Sequence, residues 1–160
     1  IQTLKDEIDM ALVSDAGTPS ISDPGFKLVR ECIKEGINVI SIPGPSSVIA
    51  ALVSSGLPTD KFLFVGYPPH KEGHRKQFFE KINSASQILK TTIIIFEAPH
   101  KLIKTLTGLK EVFGEIDIVI ARELTKIHEE IRRETISESL LHFEKVSPKG
   151  EMIILFNKDN

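Results

Sequence analysis

Short apolar runs rich in β-branched residues recur along the chain, most of them followed by a turn rich in Gly or Pro and then a stretch of helix length. Strand-type runs fall at residues 10–14, 38–42, 62–65, 92–96, 117–122, 130–135 and 151–156. Residues 92–96 are apolar almost throughout, as in strands covered on both faces. Residues 130–135 alternate only weakly and read as an exposed strand. Helical spacing predicts helices over 24–35, from about 46 to Gly56, and over 74–85, 100–113 and 137–145. In the first of these Asp23 is the expected N-cap, Pro24 takes the first helical position and Gly36 stops the helix. Ser137 is the expected cap of the last. Strand and helix alternating through short links predict a parallel sheet. Composition shifts at 57–61, so the expectation is two α/β units, residues 1–60 and 61–160.

Composition narrows this picture. A chain of 160 residues, 41% hydrophobic and 26% charged, is neither a disordered tail nor a fibrous repeat. No apolar stretch approaches the ~20 residues that cross a bilayer, and the first residues lack a basic segment leading into an apolar one. A start at Ile1 rather than Met is expected of a fragment or processed product. The net charge of -2 argues against a strongly basic nucleic-acid binder and leaves only local patches. The single cysteine, Cys32, excludes an internal disulfide framework and a thiolate metal cage; it reads as a small buried apolar residue in a reducing cytoplasm.

Candidate chemistry sits in the turns. Ser14-Asp15-Ala16-Gly17-Thr18-Pro19, running on to Ser22-Asp23-Pro24-Gly25, places a polar loop where open α/β folds bind ligands. Gly17 admits close backbone approach, and Thr18, Ser20 and Ser22 offer short donors. A capped turn with two structural prolines explains the same residues equally well. Pro43-Gly44-Pro45-Ser46-Ser47 is a second such loop, leading into a helix start that favours an anionic group. It is neither a P-loop nor part of a Gly-x-Gly-x-x-Gly motif. Further along, Glu97-Ala98-Pro99-His100-Lys101 and the segment 122–130 follow strands. His100 and His128 lack ligand-spaced partners, so no metal site is expected. Lys71, Arg75 and Lys76, around Gly73 and His74, form a loop able to touch phosphates, as do Arg132 and Arg133; neighbouring Glu residues dilute both groups.

Taken together, Ser14–Pro19 and Ser22–Gly25, Pro43-Gly44-Pro45, Ser55-Gly56-Leu57-Pro58, Glu97-Ala98-Pro99-His100-Lys101, Ala121-Arg122-Glu123-Leu124-Thr125-Lys126 and Lys149-Gly150-Glu151 resemble the ribosomal RNA small subunit methyltransferase I family, of the tetrapyrrole methylase (class III) superfamily. The resemblance covers nearly the whole chain. It implies two α/β units of the tetrapyrrole methylase fold, the first incomplete at its N-terminus. Family members begin with a strand carrying a Pro-Ile-Gly-Asn turn and later a Glu-Asp-Thr-Arg segment, and neither occurs here. A chain without them is expected to bind cofactor weakly.

The resemblance implies S-adenosylmethionine-dependent methylation of a cytidine ribose 2′-hydroxyl in the decoding region of 16S ribosomal RNA. It also implies a homodimer with the cofactor held between two domains, and neither metal nor membrane. Carried over by motif, Asp15, Ala16, Gly17, Thr18 and Ile21 line the methionine end, with Ser46, Ser47 and Val48 close by. Phe96, Glu97, Ala121, Arg122, Gly150, Glu151 and Met152 close the adenosine side. Asp23, Glu123 and Lys126 are the candidate proton acceptors; Lys126 qualifies only if burial lowers its pKa. Arg122, Lys101, Arg75 and Lys76 are candidate RNA contacts. The alternatives are a precorrin-type tetrapyrrole methylase and a nonenzymatic nucleotide-binding module of ribosome assembly.

Overall fold

A computed structural model describes residues 1–6 and 8–158. They form two compact units, residues 1–47 and 48–160.

The first unit holds helices α1 (Gln2–Lys5) and α2 (Phe26–Lys34). A 2.6 Å ion pair joins Lys5 to Glu35 beyond the end of α2. Neither 10–14 nor 38–42 forms a strand, contrary to the pattern. Their apolar side chains lie exposed, Val13 at 79% and Ile42 at 81%, with no ladder neighbour to bury them. The expected cap of α2 is also corrected. Gly25 occupies the N-cap position and no side chain caps the helix, so Asp23 stands outside the first turn.

The second unit is built on a five-stranded sheet, β1 (Phe62–Phe64), β2 (Thr92–Glu97), β3 (Asp117–Arg122), β4 (Glu130–Thr135) and β5 (Met152–Phe156), ordered β1-β2-β5-β3-β4. Only β1 and β2 pair in parallel; β5 inserts antiparallel between β2 and β3, and β4 lies antiparallel to β3. The sheet is therefore mixed, not parallel. The link of residues 123–129 is too short for a helical crossover and turns the chain straight back.

Helices cover both faces. Ile93, Ile95, Ile118, Ile120, Met152, Ile154 and Phe156 point to a core shared with α4 (Glu72–Leu89), α5 (Leu102–Phe113) and α6 (Ile136–Lys145), which contribute Phe79, Leu106, Leu109 and Phe143. Alternate residues Ile94, Val119, Ala121, Ile153 and Leu155 face α3 (Ser47–Ser55), whose Val48, Ala51 and Leu52 are buried against them. Each fully buried Leu or Ile contributes about 1.5–3 kcal/mol. Helix α3 thus belongs by packing to the sheet, and the compact units part at its start, ahead of the composition shift at 57–61.

Charges fix the exposed edge. Arg133 of β4 donates to the terminal carbonyls of α3, Nε to Ser55 O at 2.9 Å and a terminal nitrogen to Ser54 O at 2.5 Å. Arg132 pairs with Glu134 at 2.7 Å and Glu130 at 3.3 Å. Both arginines are held by protein groups. Helix α6 is capped by Thr135, not Ser137, through a reciprocal capping box with Glu138.

Candidate active site

Strands β1, β2 and β3 run in one direction, while β4 and β5 run in the other. The ends of the first three and the starts of the last two therefore share one edge of the sheet. Register sets the neighbours: Glu97 pairs with Met152, Met152 with Arg122, and Arg122 with Glu130. At ~4.8 Å per strand, Glu97 and Arg122 stand about 10 Å apart across β5. Motifs 24 or more residues apart in the sequence meet here.

The carboxylate of Glu97 is buried, and its two oxygens accept from the Ala98 amide (2.8 Å) and the Thr105 hydroxyl. Phe96 is half-buried, with edge contacts to Phe64 and Tyr67 at ring-centroid distances of 4.7 and 5.5 Å. Ala121 and Met152 are buried in opposite cores. Arg122 donates to Glu130 at 3.0 Å and reaches the Lys149 carbonyl at 3.4 Å.

Beyond β3, Glu123 and Glu151 lock the edge. The Glu123 amide donates to the Glu151 carbonyl at 3.1 Å, and the Glu151 amide donates to the Glu123 carboxylate at 2.9 Å. Lys126 Nζ bridges the carboxylates of Glu123 and Glu151, each at 3.0 Å. Gly150 makes this packing possible. It has φ +80°, and a Cβ there would lie 2.5 Å from the Glu123 side chain.

The hydrogen bonds decide the protonation states. The Glu151 amide and then Lys126 hold the Glu123 carboxyl below the usual carboxylate range. Hydrogen bonds to Glu151 and then Glu123 push the Lys126 ammonium above the usual lysine value. Burial lowering its pKa, the condition on which Lys126 could serve as a base, is not met: the group is exposed and its pKa moves upward. Tyr67 was not singled out by motif. Burial, and then the charges of Glu151 and Glu97, push its phenol upward, which sets it among the edge carboxylates. Its signal in the sequence is faint: one aromatic residue just past a strand, next to Gly66.

In the first unit the two loops meet. Thr18 Oγ1 donates to Pro45 O at 2.8 Å, and Ser14 Oγ donates to the carbonyls of Ala16 and Gly17, both at 3.1 Å. Among the described residues, Gly17, at φ +75°, has only that Pro45 oxygen within 4 Å of its Cβ position, and the Cβ position of Gly44 has nothing within 4 Å. Asp15, Ala16, Ile21, Asp23 and Ser47 are exposed. Asp23 makes no hydrogen bond or ion pair among the described residues. Val48 differs from the expectation: its side chain is spent in the core against the sheet, leaving its backbone for any ligand. Among the described residues no cluster of three or more His, Cys, Asp or Glu is placed to hold a metal ion, and no helix is long and apolar enough to cross a membrane.

This fold and edge define a class of protein. Residues 1–139 match the family described as Tetrapyrrole (Corrin/Porphyrin) Methylases. Solved structures agree at the level of the fold. The methyltransferase CobJ has a TM-score of 0.60 at 17% identity, covering 88% of this chain and 62% of that one. Uroporphyrin-III C-methyl transferase from Thermus thermophilus, complexed with S-adenosyl homocysteine, has 0.54 at 14% identity, covering 89% and 64%. The curated relatives are more specific. Ribosomal RNA small subunit methyltransferase I of Hydrogenobaculum is 43% identical over 100% of this chain and 68% of its own length. That of Thermotoga maritima is 41% identical over 96% and 67%, and that of Synechocystis 46% over 92% and 52%. The chain belongs to the ribosomal RNA small subunit methyltransferase I family, and spans 52–68% of the length of these relatives.

Proposed function

We propose that the protein transfers a methyl group from S-adenosylmethionine to ribosomal RNA, and that the acceptor is the ribose 2′-hydroxyl of a cytidine in the decoding region of the 16S molecule. The observation that carries this reading is the edge itself: in a chain of this family, Phe96–Glu97, Ala121–Arg122 and Gly150–Met152 are neighbours by strand register.

The residues fit the cofactor. The bare backbone at Gly17 and Gly44 leaves room for a ligand to approach the amides, and the Glu151 carboxylate, exposed at the sheet edge, suits the polar groups of a sulfonium nucleoside. When bound, S-adenosylmethionine supplies an electrophilic methyl group. Asp15, Ala16, Gly17, Thr18, Ile21, Ser46, Ser47 and the backbone of Val48 would hold the methionine end, and the strand-exit residues the adenosine. The protein's own task is alignment of the acceptor oxygen and removal of its proton as the new bond forms.

Among the three candidate acceptors of that proton, Asp23 is favoured. It is exposed and makes no hydrogen bond or ion pair among the described residues, whereas Glu123 is held anionic by strong donors and Lys126 stays a cation. We assign Glu123 and Lys126 to positioning. A homodimeric assembly and action in the cytoplasm complete the proposal.

The test is methyl transfer by the complete protein from labelled S-adenosylmethionine to small subunits lacking the modification, followed by digestion to nucleosides. Label in 2′-O-methylcytidine is the expected result. Label in uroporphyrinogen, offered in parallel, would transfer the assignment to tetrapyrrole chemistry; binding without transfer would favour an assembly module.

A further inference from the structure

A pocket of about 250 Å³ opens at the same sheet edge, beyond β2. The loop after β1 supplies Pro68, Pro69 and His70, the first turn of α4 supplies Arg75, and the chain after β2 supplies His100, Lys101 and Lys104. Its three cations outnumber its one carboxylate. Among the described residues none of Arg75, Lys101 and Lys104 is in an ion pair. Arg75 donates only to the His70 carbonyl at 3.1 Å, and Lys101 Nζ lies 3.2 Å from His70 Nε2. The side chains of Lys104 and His100 have no hydrogen-bond or ion-pair partner among the described residues. Glu97 is the one carboxylate in the lining. It is 3% exposed, and both its oxygens are taken by Ala98 and Thr105.

The other end of the same edge shows what this chain does with cations it holds for structure. Arg122, Lys126 and Arg132 are each matched to glutamates at 2.7–3.3 Å. Three cations lining one pocket repel one another, and that cost is relieved by a bound anion. The planar guanidinium of Arg75 and the ammonium groups of Lys101 and Lys104 suit phosphate oxygens. S-adenosylmethionine carries no phosphate, and its one carboxylate belongs to the methionine end, which the proposed function assigns to the loops at 14–21 and 43–48; the pocket therefore serves the methyl acceptor rather than the donor.

We propose that the pocket formed by His70, Arg75, His100, Lys101 and Lys104 binds a backbone phosphate of the RNA strand that presents the methyl-accepting ribose. This rests on the reading of RNA as the acceptor. The contact positions the strand and carries no base specificity.

The test uses the complete protein and its Lys101→Gln/Lys104→Gln variant, with Lys61→Gln, ahead of β1 at the opposite end of the strands, as the charge control. Fluorescence anisotropy of a labelled single-stranded RNA from the small-subunit decoding region is measured across a salt series, and S-adenosylmethionine affinity is measured by titration calorimetry. The double variant is expected to bind RNA roughly ten-fold more weakly at low salt, with the slope of log K against log salt shallower by about 0.7–1. Its cofactor affinity and the RNA affinity of Lys61→Gln should match wild type. If wild type binds RNA and the double variant matches it, or Lys61→Gln falls equally, the pocket assignment is overturned and the RNA reading stands. If inorganic phosphate saturates the pocket while the double variant binds RNA normally, the pocket takes free anions and the proposal is overturned. If wild type binds no RNA, the RNA reading itself falls and takes the pocket with it.

Discussion

The two units carry the same kind of sequence and meet different fates. Residues 38–42 and 92–96 are both β-branched runs leading to a turn, yet Ile40 and Ile42 are exposed at 73% and 81% while Ile93, Ile94 and Ile95 are wholly buried. The difference lies in the neighbours. In the second unit β5 inserts between β2 and β3 and satisfies both ladders, and helices close both faces. Around 10–14 and 38–42 no ladder forms. Strand propensity expresses a fit to a pleated, half-buried surface, and such a surface has to be supplied. The second unit therefore holds its candidate site by register, and the first by a few loop hydrogen bonds such as Thr18 to Pro45.

Truncation breaks this comparison most sharply. Leu106→Ala, at a fully buried position, should cost about 2–5 kcal/mol by denaturant unfolding. Ile42→Ala should change stability by no more than ~0.5 kcal/mol. Equal losses would mean that the first unit is packed as tightly as the second. Glycines give the next largest contrast. Gly150→Ala combines an unfavourable φ with a collision at Glu123, and should cost about 1–3 kcal/mol. Gly44→Ala meets open space and should unfold at the wild-type midpoint. A loss of cofactor affinity in Gly44→Ala without loss of stability would show that a ligand occupies that space.

Carboxylates give the smallest and most local contrast. In the second unit Glu115 accepts from the hydroxyl and amide of Ser137, at 2.5 and 2.9 Å, and these bonds lower its pKa from 4.5 to about 2, with Lys110 adding less. In the first unit Glu35 is lowered by the hydrogen bond and then the charge of Lys5. Both pKa values lie below the unfolded value. Each stabilisation is therefore complete above about pH 4.5 and lost as pH falls through the folded pKa. Carboxyl NMR titration should find Glu115 near 2, moving up toward 4.5 in Ser137→Ala. Added salt should raise the Glu35 midpoint more than that of Glu115, whose main donors are neutral. Equal salt shifts would contradict the assignment of donors.

The same contrast explains how much was legible in the sequence. The strand at 117–122 is readable as an apolar run and that at 130–135 from a weak alternation, and the stop of α2 at Gly36 from punctuation. The α6 cap lies at Thr135, in a capping box with Glu138, two residues ahead of Ser137, because either hydroxyl can begin a helix. The antiparallel insertion of β5 was not readable, since a run such as Met152–Phe156 carries no mark of its direction. For the candidate site, motifs named the edge residues and register brought them together. Motifs could not say that Arg132 and Arg133 are spent on glutamates and helix carbonyls, or that Val48 is spent in the core. Tyr67 and the pocket beyond β2 depend on side chains brought together from separate segments; of the pocket's three cations, motifs pointed only to Arg75 and Lys101.

The most direct measurement of the central claim is photo-crosslinking of radiolabelled S-adenosylmethionine to the complete protein, with the modified peptides mapped by mass spectrometry. The expected result is label in peptides covering 14–21 or 43–48 and also in peptides covering 96–97, 121–123 or 150–152, suppressed by excess S-adenosylhomocysteine. Suppressible label confined to other segments, such as the outer faces of α4 and α6, would contradict the account.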